Sequence, residues 1–94
     1  MEIRCSSKVL HKITTKHNVA LEEVQECFAS RTGVELIDRR AEHQTNPPSR
    51  WFISETDRGR KLKVVYMFID GEIHLKTAYE PSDEVKALYK RLSN

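Results

Sequence analysis

Two hydrophobic rhythms divide the chain, a helical one in its first third and last dozen residues and a period of two between them. Val9, Leu10 and Ile13 recur at helical spacing, with Lys8, Lys12 and Lys16 on the other side. The pattern predicts a first helix opened by Ser6 or Ser7, whose hydroxyl accepts an orphan N–H, and closed near His17-Asn18. Leu21, Val24, Cys27 and Phe28 form a second stripe from Leu21 to Ser30. Glu22 and Glu23 fall in its first turn, where the helix dipole favours acids, and Gly33 is the expected stop. The loosely alternating stretch 34–42 predicts a strand through Leu36 and Ile37. The segment 43–49, with Asn46-Pro47-Pro48 inside it, predicts a loop.

From Ser49 to Tyr79 the period is two. SRWFISE, LKVVYMFI and EIHLKTAY are apolar segments joined by Asp57-Arg58-Gly59 and by Asp70-Gly71. Asp-Gly is a strong hairpin signal, because a type I′ turn needs positive φ at both central residues; Gly59 can supply the left-handed position of the other bend. Alternation puts Leu62, Val64, Tyr66 and Phe68 on one face and Lys63, Val65, Met67 and Ile69 on the other. In the last strand it puts Ile73, Leu75 and Thr77 opposite His74 and Lys76. Pro81-Ser82-Asp83-Glu84 opens a terminal helix with the stripe Val85, Leu88, Tyr89, Leu92. The expected fold is α+β: two N-terminal helices, a four-stranded antiparallel meander and a C-terminal helix, with residues 2–5 a short extended start.

Ninety-four residues allow one domain, 1–94. A net charge of +2 is too small for strong nucleic-acid binding by bulk electrostatics, but the charge is segregated. Residues 1–18 carry a local +3, residues 19–34 a local −2, and residues 56–63, with Arg58, Arg60, Lys61 and Lys63 against Asp57, again +3. Segregated charge focuses field on one face and points to a polyanionic partner. Cys5 and Cys27 stand at no metal or redox spacing and read as buried free thiols. The start MEIRCSSKV has no apolar leader, and no segment reaches membrane-spanning length, so the expected location is cytoplasmic. Three glycines do not make a phosphate loop, and the four histidines show no paired ligand spacing; no metal and no cofactor are expected.

Four phrases, in order, resemble the BrnT-type toxins of bacterial type II toxin–antitoxin pairs, within the RelE-like superfamily. They are the segment from His17 to Phe28, Asp38 with His43, Arg50-Trp51-Phe52, and the run from Arg58 to Tyr66; the similarity spans most of residues 8–89. The resemblance implies a RelE-like fold and a metal-independent endoribonuclease that inhibits translation, in association with the ribosome or on free RNA. It also implies a cognate antitoxin protein as partner. In one departure, Ala78-Tyr79-Glu80-Pro81 stands where the family usually places arginines, which bears on catalysis rather than fold.

Such cleavage uses the 2′-OH as nucleophile. The protein moves two protons and stabilises the charge that builds on phosphate. His43 is the titrating candidate. Arg60 is a candidate for catalysis, and Tyr79 stands in for the missing arginine. Arg50, Arg58, Lys61, Lys63 and Lys76 are candidates to hold RNA phosphates, arginine being suited to bidentate oxyanion contacts. Trp51 or Tyr66 offers a surface for an unpaired base. Each has an ordinary reading too: a solvated hairpin tip for Arg58 and Lys61, core for Trp51 and Tyr66, a structural helix end for His17, a sheet face for His74. The alternative function is a non-catalytic protein-binding module on the same scaffold: a degenerate toxin, an immunity protein or a regulatory protein.

Overall fold

A computed structural model of the chain describes residues 2–39 and 45–93. In chain order the elements are β1 (Ile3–Arg4), α1 (Ser7–Thr15), α2 (Leu21–Ser30), β2 (Leu36–Ile37), β3 (Ser49–Glu55), β4 (Lys61–Ile69), β5 (Glu72–Tyr79) and α3 (Asp83–Leu92). The fold is α+β, but the sheet is not the expected four-stranded antiparallel meander. It has five strands in the order β1-β5-β4-β3-β2, and β1 runs parallel to β5. Two residues carry no periodicity, so nothing in the pattern of β1 announces its pairing. What holds it is tertiary: Ile3 pairs with Ile73 beside the core, and the Arg4 guanidinium meets Glu72 at 2.7 Å.

The local signals explain most of the remaining elements. Ser6 Oγ accepts the Val9 N–H at 3.2 Å and Ser82 Oγ accepts that of Val85 at 3.2 Å, opening α1 and α3. Ala20, at the N-terminus of α2, has no side chain to cap with, and the Glu23 carboxylate instead takes the Ala20 N–H at 3.0 Å. Asp70 (φ 51°) and Gly71 (φ 79°) are both left-handed, as a type I′ hairpin requires, and Gly59 (φ 83°) turns the β3–β4 bend. Gly33 is not the expected left-handed stop of α2, which ends at an extended Arg31. Its small size serves another element, because a Cβ there would stand 2.6 Å from the Tyr89 hydroxyl of α3.

One sheet face carries the core. Ile13 of α1 and Val24, Cys27 and Phe28 of α2 pack on Phe52, Leu62, Val64, Tyr66, Leu75 and Ala78. Phe28 stands edge-on to Phe52 and Tyr66, at ring separations of 5.0 and 5.3 Å. Cys27 is buried and Cys5 half-buried; both are free thiols, and burial pushes Cys27 up to about 12, far from a reactive thiolate. Phe68, expected on the core face, lies at its margin and is 45% exposed. The other face meets α3 chiefly through Tyr89 against Trp51, 5.5 Å between ring centres. No residue of α3 is fully buried. Two clefts flank this helix, of about 640 and 720 Å³. No described helix is long and apolar enough to cross a membrane.

Candidate functional site

The site depends on one irregularity in β5. Its residues pair with β4 as Ile73↔Phe68, His74↔Met67 and Leu75↔Tyr66, then resume as Thr77↔Val65, Ala78↔Val64 and Tyr79↔Lys63. Lys76 is the extra residue of a β-bulge. Simple alternation puts Thr77 with Ile73 and Leu75. The bulge reverses this: Ala78 enters the core, while Thr77 and Tyr79 turn to the face of His74, Val65 and Lys63. The Lys76 ammonium reaches the same face, donating to Ser49 Oγ at 3.1 Å. Sequence periodicity missed the reversal because a bulge shows only in the pairing of two strands.

Lys63 is the centre of this face. It is only 6% exposed, and no carboxylate among the described residues forms an ion pair with it. Its ammonium instead lies 4.5 Å from the centre of the Trp51 ring and 5.7 Å from that of Tyr79. Two aromatic faces offset part of the cost of desolvating the charge. Lys63, Trp51 and Asp38 also line the cleft of about 720 Å³ between β2 and α3. A cation and an indole thus share the wall of a depression large enough for a nucleotide-sized group.

Three of the candidates, Lys63, Lys76 and Tyr79, therefore come together, with Trp51, Ser49 and His74 beside them. The others lie elsewhere. Arg60 is tied down: its guanidinium meets Glu23 at 3.0 Å and Glu80 at 2.9 Å, and donates to the carbonyls of Asn18 and His17. The Ala20 N–H first, and then Arg60, hold the Glu23 carboxyl below the usual range. Arg50 faces the opposite side of the sheet, its guanidinium 5.9 Å from the Phe68 ring centre. Arg58 is exposed at the β3–β4 bend, and Lys61, across from Glu55, lines the cleft of about 640 Å³. Tyr66 is core, its hydroxyl bonded to Glu35, which also pairs with Arg31 at 2.6 Å. His43 lies outside the described residues.

Side chains of α1 approach the site from the edge of the sheet. β1 pairs only with Ile73 and His74, so the outer edge of β5 is not covered by β1 beyond that point. There Lys12 donates to the Lys76 carbonyl at 3.1 Å, and the His17 ring lies 5.3 Å from the Tyr79 ring. Burial lowers the pKa of both, and neighbouring lysines add to the effect: Lys16, Lys76 and Lys8 on Lys12, and Lys16 and Lys12 on His17. The sequence shows Lys12 and His17 only as a basic helix face and its end. Their meeting with β5 is tertiary.

No protein-family model matches the chain, and no relative is found among curated proteins.

Proposed function

We propose that this protein is a toxin-type endoribonuclease, RelE-like and related to the BrnT toxins, that inhibits translation in the cytoplasm and is neutralised by a partner antitoxin protein. The observation that carries this reading is Lys63, a sequestered ammonium held between Trp51 and Tyr79 in the wall of a cleft. RNA offers both Lys63 and Trp51 a partner: a phosphodiester oxygen for the cation and an unpaired base for the indole in the cleft wall. Lys63 and Lys76 oppose the negative charge that builds on phosphorus as the 2′ oxygen attacks. Tyr79 supplies a hydroxyl for proton transfer, and an imidazole supplies the titrating group, for which His43 is the candidate from the sequence. Arg60, fully occupied by Glu23 and Glu80, serves here as a brace rather than as a phosphate ligand.

The direct test is expression in bacteria without any partner, followed by cleavage of labelled RNA by the purified protein in excess chelator. Growth arrest and cleavage are expected. Lys63→Met and Tyr79→Phe should each lower the rate by about 10²-fold or more in a still-folded protein. Healthy cells and intact RNA would remove the reading. They would favour a second one, a non-catalytic protein-binding module, for which the locked Arg60 and the departure at Tyr79-Glu80-Pro81 speak.

A further inference from the structure

The ribonuclease reading leaves open which group takes the proton from the 2′-OH, and the edge of β5 offers one the sequence did not single out. We propose that His17, lying against Tyr79 where α1 ends, is the proton acceptor of this site, acting with Tyr79 on a phosphodiester held by Lys63, Lys76 and Lys12. The inference rests on that reading and names the base within it.

His17 and Tyr79 are the only imidazole–phenol pair in ring contact among the described residues, 5.3 Å apart and tilted by 37°. Tyr79 also faces the Lys63 ammonium, and Lys12, which donates to the Lys76 carbonyl, acts on His17, so the ring pair lies between ammonium groups from α1 and β4. Around His17, α1 contributes Lys12 and Lys16, β5 contributes Tyr79, and the Arg60 guanidinium, 3.4 Å from the His17 carbonyl, is itself neutralised by Glu23 and Glu80. Burial, and then Lys16 and Lys12, oppose an imidazolium here. The shift favours the neutral imidazole, the form a base requires.

The step balances without a co-reactant. The neutral imidazole takes the 2′-OH proton, and the 2′ oxygen forms its bond to phosphorus. The bond from phosphorus to the 5′ oxygen breaks, and that oxygen receives the Tyr79 proton. A 2′,3′-cyclic phosphate and a free 5′-OH leave. The imidazolium then returns its proton to the adjacent phenolate, restoring both groups.

The test is the pH dependence of kcat/KM for RNA cleavage by the wild-type protein and by His17→Gln. Because kcat/KM reports the free enzyme and the base must be neutral, the wild-type rate should rise with pH through a midpoint below 6.5. His17→Gln should lower kcat/KM by about 10²-fold or more and abolish that acid limb. A His17→Gln protein that cleaves with the limb intact overturns the inference and leaves the ribonuclease reading standing. A wild-type protein that cleaves nothing removes both. If His17→Gln does not fold, the wild-type imidazole signals are titrated by NMR with and without a 2′-fluoro octanucleotide, which binds but lacks the nucleophile. A rise in the His17 midpoint on binding supports the assignment, and an unmoved midpoint overturns it.

Discussion

The Arg60 guanidinium joins α2 through Glu23, the α1–α2 connection through the carbonyls of His17 and Asn18, and the β5–α3 link through Glu80. Arg60→Met removes charge-assisted bonds from partly buried partners and should cost about 2 kcal/mol in urea unfolding. Its effect on RNA cleavage should be matched by Glu23→Gln, which touches no part of the proposed site, because both act by loosening the frame around Tyr79. Glu23 adds a pH signature. Its folded pKa lies below the ordinary 4.5, so its contribution to stability is present above that value and is lost as pH falls through the lower folded one. Glu23→Gln should be less stable than wild type at pH 7, and the gap should close below about pH 4.5. Urea melts at pH 7 and pH 3 check this, and an undiminished gap at pH 3 would contradict it.

Among the elements, α3 is held least firmly. Its Tyr89 packs on Trp51, and the Tyr89 hydroxyl donates to the Val34 carbonyl at 2.6 Å and occupies the space beside Gly33. Gly33→Ala should therefore be destabilising in the wild type and nearly neutral in a Tyr89→Phe background, where the clashing oxygen is gone. A double-mutant cycle on thermal unfolding measures the coupling. Gly71→Ala is the contrast: a Cβ meets nothing within 4 Å, yet the left-handed backbone should still cost about 1–2 kcal/mol. These cases mark how much of the fold the chain order discloses. The stripes of α1, α2 and α3, the Ser6 and Ser82 caps and the Asp70-Gly71 turn are local events, and local spacing predicts them. The parallel pairing of β1, the space kept at Gly33 and the bulge at Lys76 exist only between elements. The candidate site inherits this divide. Lys63, Lys76 and Tyr79 stand out as basic or aromatic strand residues, but their convergence and the approach of His17 and Lys12 come from the bulge and the open edge of β5.

At the scale of the whole molecule, the two sheet faces divide the work. The helix-covered face provides the core, and the opposite face, half-covered by α3, carries the cations. Amides of β4 should accordingly exchange far more slowly than those of α3, which opens locally without exposing the core. A net charge of +2 supplies little general attraction for RNA, so the proposed binding would rest on the few cations of this face. The affinity should then fall with salt at a slope set by two or three phosphate contacts. The most direct measurement is backbone and side-chain chemical-shift mapping of the protein with a short 2′-fluoro RNA. Shifts confined to Lys63, Lys76, Tyr79, Trp51 and the end of α1 are expected. Shifts centred instead on Arg50 and Phe68, on the opposite side of the sheet, or no shifts at all, would contradict a phosphodiester site built on the β5 bulge.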